Sequence, residues 1–184
     1  VMTNTLTIGV GTLNIQNRKL TTYGIDKTGS ANFLTSGSTV TLTGSTISGL
    51  TSTAFTFDVL RVQRGPDMQV TFNVPIIVNK HFEIVSGTVK LYERNGSLAV
   101  NQDTIIGGIF DVNGGTFTAN GGITVNSGGA LDTSNSIYSS LVNVGNKIIV
   151  NSGGLLKSNS ALDLITSTGG NYSFTVNGGT VDVS

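Results

Sequence analysis

Three charged residues, Asp132, Lys157 and Asp182, recur 25 positions apart, each the third residue of a short alternating segment. The segments are Ala130-Leu131-Asp132-Thr133, Leu155-Leu156-Lys157-Ser158 and Thr180-Val181-Asp182-Val183. If such segments stack as neighbouring strands, Asp132 and Asp182 lie two strand spacings apart, about 9.6 Å. That approaches the carboxylate separation of an inverting glycosidase, where one acid protonates the leaving oxygen and the other activates water. Lys157 falls between them, however, and an acid–base–acid column is also how a solvated sheet face keeps like charges apart. The other acids (Asp26, Asp58, Asp67, Glu83, Glu93, Asp103, Asp111, Asp163) form no calcium-type cluster in sequence, and no Gly-Gly-x-Gly-x-Asp repeat occurs. His81, in "NKHFEI", is the lone histidine of a chain without cysteine, so metal or triad chemistry has no partners for it. No catalytic, cofactor or metal site is expected.

Threonine suggests a different chemistry. Thr12, Thr39, Thr88, Thr116 and Thr180 each open such a segment, and flat Thr-x-Thr arrays suit ice binding. Only Thr39-x-Thr41 and Thr116-x-Thr118 complete the pair, and threonine is also a favoured strand residue. The Gly-Gly pairs are not phosphate loops, because no helical pattern follows them.

All these residues depend on one repeating unit. Segments beginning at Thr12, Thr39, Thr88, Thr116, Ala130, Leu155 and Thr180 share an apolar second position and a polar third position. Period-two alternation with the same face apolar is a strand signature. Further alternating segments lie between the copies, at 97–100, 109–112, 141–144, 148–150, 162–165 and 173–176. Three short strands per repeat, with Gly, Asn and Ser at the turns, describe one coil of a parallel β-helix. The expected fold is an all-β, right-handed β-solenoid with coils of about 25 residues, since parallel crossovers are overwhelmingly right-handed. Residues 87–184 read as regular coils and 1–86 as less regular ones. A 14-residue step from Thr116 to Ala130 does not fit the period.

The alternative is a tandem antiparallel β-sandwich, in which "RVQRGPDMQV" (61–70) forms a hairpin. Asn126, Asn151 and Asn177 recur in the turn phrase at spacings of 25 and 26, so their stacked amides are expected to form a ladder along the axis.

Composition narrows the function. Ten basic and ten acidic residues cancel, which leaves no electrostatic case for nucleic acid or an anionic membrane. Without cysteine, stability must come from packing and backbone pairing. No apolar run is long enough to span a bilayer as a helix. The strand-like ends, "VMTNTLTIGV" and "GGTVDVS", show no cap and are expected to continue into flanking parts of a longer chain.

The phrases "NTLTIGVGTLNIQNRKLTTYG", "GSTVTLTGSTISGLTSTAFTFDVLRVQ", "VTFNVPIIVNKHFEIVSGTVKL" and "GGTFTANGGITVNSGGALDTS" resemble the repetitive cell-surface proteins of Bacteroidota. Autotransporter passengers are similar in architecture. The resemblance implies a large extracellular protein exported by the type IX route through outer-membrane secretion or anchoring machinery. It implies an adhesive or stalk role, with surface glycans or other surface proteins as partners. It also marks Asp103-Thr104-Ile105 as similar to an O-glycosylation acceptor, with the sugar on Thr104. Asn95-Gly-Ser and Asn171-Tyr-Ser fit the N-glycosylation pattern. The expected function is therefore a non-enzymatic structural or adhesive segment; the alternatives are a carbohydrate-active β-helix (lyase, glycosidase or tailspike-like) and an ice-binding solenoid.

Overall fold

Alternating Thr, Val and Ile favour extended backbone, because β-branched side chains pack well on a pleated surface and poorly on a helix. The computed structural model describes residues 4–28, 31–44, 46–49, 54–92, 95–134, 141–158, 163–166 and 173–183, and all the regular structure among them is β-strand. Every pairing between strands is parallel. The chain is a β-solenoid, and the antiparallel sandwich is excluded. The expected hairpin is instead a corner. Met68 N–H donates to the Gly65 carbonyl at 3.1 Å, and Gln69–Phe72 then joins a different sheet from Phe55–Gln63.

Each coil visits three faces in turn. The first face is a nine-stranded sheet: Thr5–Ile8, Gly24–Lys27, Thr46–Gly49, Gln69–Phe72, Thr88–Leu91, Ile109–Asp111, Ala130–Asp132, Leu155–Ser158 and Thr180–Val183. The second carries Ser97–Val100, Thr116–Ala119, Leu141–Val144 and Asp163–Thr166 in adjacent pairing. The third carries Lys19–Thr22 and Thr39–Leu42, and later Thr104–Ile106, Gly122–Val125, Lys147–Asn151 and Ser173–Asn177. Two long strands, Phe55–Gln63 and Pro75–Ser86, run along the second face and bend onto the third, the latter through a register shift between Val78 and His81. The stack crosses residues 86–87 without interruption, since Thr88–Leu91 pairs with Gln69–Phe72 before it and Ile109–Asp111 after it.

This topology corrects the repeat in two ways. First-face partners differ in their sequence spacing, and a coil averages about 22 residues. The longer expected period holds only for the steps from Thr46 to Thr71, Ala130 to Leu155 and Leu155 to Thr180. Strands stay short while corners vary in length, so spatial advance per coil is constant and sequence advance is not. The misfit between Thr116 and Ala130 also disappears. Thr116 lies on the second face and Ala130 on the first, where the rung before it begins at Ile109.

Inside the prism, one apolar core runs from Ile8 to Leu156, and the last coil leaves Phe174, Val176 and Val183 exposed. Leu131 and Leu156 are adjacent in register and essentially inaccessible, and Val181 continues their column on the last rung with 38% exposure. Four phenylalanines from three faces, Phe72, Phe82, Phe110 and Phe117, make successive edge-to-face contacts at 6.1, 5.8 and 4.8 Å between centroids. Each such side chain contributes roughly 1.5–3 kcal/mol by leaving water. At the corner from third to first face, Gly128, Gly153 and Gly178 all hold φ near +75° (76, 75 and 75°), a region that L side chains avoid.

Candidate functional site

On the first face, register places Thr71, Lys90, Asp111, Asp132, Lys157 and Asp182 in one outward column. Asp132, Lys157 and Asp182 are therefore stacked neighbours, with lysine between the acids. Asp111 was hidden because the coils on either side of it are shorter than the expected period. Its signals were the alternation Ile109-Phe110-Asp111 and its place midway in sequence between Lys90 and Asp132. The column reads plus, minus, minus, plus, minus from Lys90. Lys90 Nζ lies 3.6 Å from Asp111 Oδ2, and Asp111 is only 7% exposed. Asp132 Oδ1 accepts from Ser134 N–H at 2.8 Å and from Ser134 Oγ at 2.6 Å. Both adjacent carboxylates are thus engaged by their own chain.

The corners carry two amide ladders. Asn151 Nδ2 donates to Asn126 Oδ1 at 3.0 Å, and Asn177 Nδ2 donates to Asn151 Oδ1 at 3.3 Å. A second ladder, absent from the sequence reading, runs along the corner between second and third faces. Asn120 donates to Asn101 at 3.0 Å, Asn101 to Asn79 at 3.5 Å, and Asn79 to Asp58 Oδ1 at 3.3 Å. Its signal was an amide directly after an apolar strand end, as in Val78-Asn79, Val100-Asn101 and Ala119-Asn120.

Asp58 anchors that ladder: Oδ2 accepts from Gly37 N–H at 2.6 Å and lies 3.1 Å from Lys80 Nζ. The Gly37 N–H is the main cause holding its carboxyl below the ordinary aspartate value. Burial opposes this, and Lys80 and Asn79 reinforce it.

Other expected site residues fall elsewhere. Thr104 is fully buried, in register between Phe82 and Ile123, and its hydroxyl finds no hydrogen-bond partner among the described residues. An O-linked sugar on Thr104 is incompatible with the folded coil, because alternation turns Thr104 and Ile106 inward. The threonine array is likewise dispersed: Thr12 and Thr116 lie on or beside the second face, Thr39 on the third, and Thr88 and Thr180 on the first. That removes the flat surface on which the ice-binding alternative rested. His81 is an exposed third-face residue with Nδ1 3.7 Å from Asp103 Oδ2. Asn95 is exposed; Asn171, Leu162 and Glu93 lie outside the described residues.

Beside the charged column, at the corner of first and second faces, Tyr92 stands 51% exposed over an open depression of about 520 Å³. Its walls include Thr46, Gln69, Thr71, Asn73 and Asn113, with Lys90 at one side. Asn113 is fixed by a left-handed backbone (φ 45°) and by donating from Nδ2 to the Leu91 carbonyl at 3.2 Å. Gln69 Nε2 donates to Thr71 Oγ1 at 2.9 Å. Comparison with protein-family models, curated proteins and solved structures finds no match to the chain.

Proposed function

We propose that this chain is a non-enzymatic structural and adhesive part of a larger extracellular surface protein, a stiff stalk that also presents a binding surface. The observation that carries this reading is the unbroken first face: nine parallel rungs, with one core running beneath them from Ile8 to Leu156 and corner amides bonded from rung to rung. Such a stack resists bending, because any bend must open backbone pairs on one side and compress the core on the other. Surface placement and export by the type IX route rest on the resemblance to Bacteroidota surface proteins. Antibody staining of intact cells that produce the protein tests the placement. Staining without permeabilisation is expected, and staining only after permeabilisation would overturn it.

A carbohydrate-active β-helix is the second reading, and one observation favours it. Asp111 and Asp132 occupy adjacent rungs, about 4.8 Å apart, near the separation of a retaining carboxylate pair. Against it, Lys90 and Ser134 already engage these carboxylates. Incubation with a panel of polysaccharides separates the readings. Product release that Asp111→Ala or Asp132→Ala abolishes would replace the structural reading with an enzymatic one.

A further inference from the structure

We propose that the depression beneath Tyr92 binds a neutral glycan chain lying along the solenoid axis. This deepens the adhesive reading above by naming the surface and the ligand chemistry. The lining comes from four consecutive rungs: Thr46, then Gln69 to Asn73, then Lys90 to Tyr92, then the corner at Asn113. Three rung steps span about 14 Å. The ligand that fits is therefore elongated and runs across the strands.

Three features select a sugar. The exposed ring of Tyr92 offers an apolar face whose negative quadrupole attracts the C–H hydrogens on one side of a pyranose. Around it stand hydroxyls and amides, groups that both donate and accept and so match the edge of a polyol. Asn73 and Gln69 are exposed, whereas Asn113 is pre-set by its own backbone bond. Ordered polar groups around one aromatic platform fix a ligand's orientation at low entropic cost.

Charge and backbone exclude the competitors. Among the described residues lining the groove the one cation is Lys90, and it is paired with Asp111, so these residues offer no net positive field to a phosphate or an acidic chain. A peptide adding as a strand needs a free sheet edge. Gln69–Phe72 is paired on both sides, with Thr46–Gly49 and Thr88–Leu91, so none exists here. Leu91 beneath is fully buried and offers no pocket to an apolar side chain.

The test is a titration of the 184-residue chain with soluble neutral hexasaccharides of glucose, N-acetylglucosamine, mannose and galactose. A hexasaccharide of galacturonic acid serves as the charged comparison, and binding is read by amide chemical shifts or calorimetry. At least one neutral probe is expected to bind and to perturb residues 69–73 and 90–92. Tyr92→Ala should weaken it about tenfold, and Asn73→Ala should also weaken it, with the circular dichroism spectrum unchanged. His81→Ala, on the third face, should leave it unaffected. Failure of every neutral probe at millimolar concentration, preference for the acidic probe, or binding indifferent to Tyr92→Ala would each overturn the proposal. None of these results bears on surface placement, which the staining experiment reads separately.

Discussion

Replacing Thr104 by valine should stabilise the protein, an unusual direction for a core substitution. Thr104 sits in an inward column between Phe82 and Ile123, with no exposure and no partner for its hydroxyl among the described residues. Burying an unpaired hydroxyl costs about 1–3 kcal/mol in proteins. Valine keeps the branched shape and puts a methyl where the oxygen was, against apolar neighbours. Thr104→Val should therefore gain about 1–2 kcal/mol.

Thr22 supplies the matched control. It is equally buried and inward on the same face, but its Oγ1 donates to the Gly24 carbonyl at 3.0 Å. Thr22→Val removes a satisfied bond and should cost about 1 kcal/mol. Urea unfolding followed by circular dichroism reads both variants, and an unchanged m-value certifies that surface exposure on unfolding is the same. Opposite signs are expected. A destabilised Thr104→Val variant, or a sugar found on Thr104 of the folded protein, would refute the inward register of this strand.

Leu156→Asp places a charge in the core and should cost several kcal/mol. Lys157→Asp beside it should cost no more than about 1 kcal/mol even with acids on both neighbouring rungs; comparable losses in a denaturation series would break the first-face register. Acid titration of stability should show a loss that Asp58→Asn removes. Because the folded carboxyl is held below its unfolded value, its contribution is complete above the unfolded value and disappears as pH falls toward the folded one; an identical acid limb in both proteins would contradict this. Asn151→Ala removes both ladder bonds of Asn151 and should lower stability by about 1–2 kcal/mol, whereas a neutral result in thermal unfolding would make the ladder a by-product of turn preference.

Much of this was legible in the alternation of single segments. It placed Leu131 and Leu156 inward, Asp132 and Lys157 outward, and three strands in each coil. What the segments could not reveal was the face to which each belongs. A short parallel strand has the same apolar–polar pattern wherever it lies, so Thr116 and Ala130 look equivalent. Only the residue count of the corners separates them, and that count varies freely. The acceptor-like Asp103-Thr104-Ile105 carries no information on which way Thr104 faces, and Ile105-Ile106 breaks the alternation and leaves two phases open. The ladder of Asp58, Asn79, Asn101 and Asn120 was missed because its spacings of 21, 22 and 19 depart from the expected period and a carboxylate ends what three asparagines continue. The Tyr92 depression could not be seen at all, since its walls meet only after Thr46 and Asn113, remote from each other in sequence, are brought together by stacking.

Each coil advances the chain by one strand spacing whatever its length, and the absence of cysteine makes this advance directly measurable by paired spin labels. Cysteines at Gln69 and, in turn, at Ala130, Leu155 and Thr180 lie three, four and five rungs apart on the outward first face. Electron–electron dipolar distances should rise in even steps, about 14, 19 and 24 Å before label length. Distances that fail to increase from Ala130 to Leu155 to Thr180, or that fold back, would contradict the solenoid.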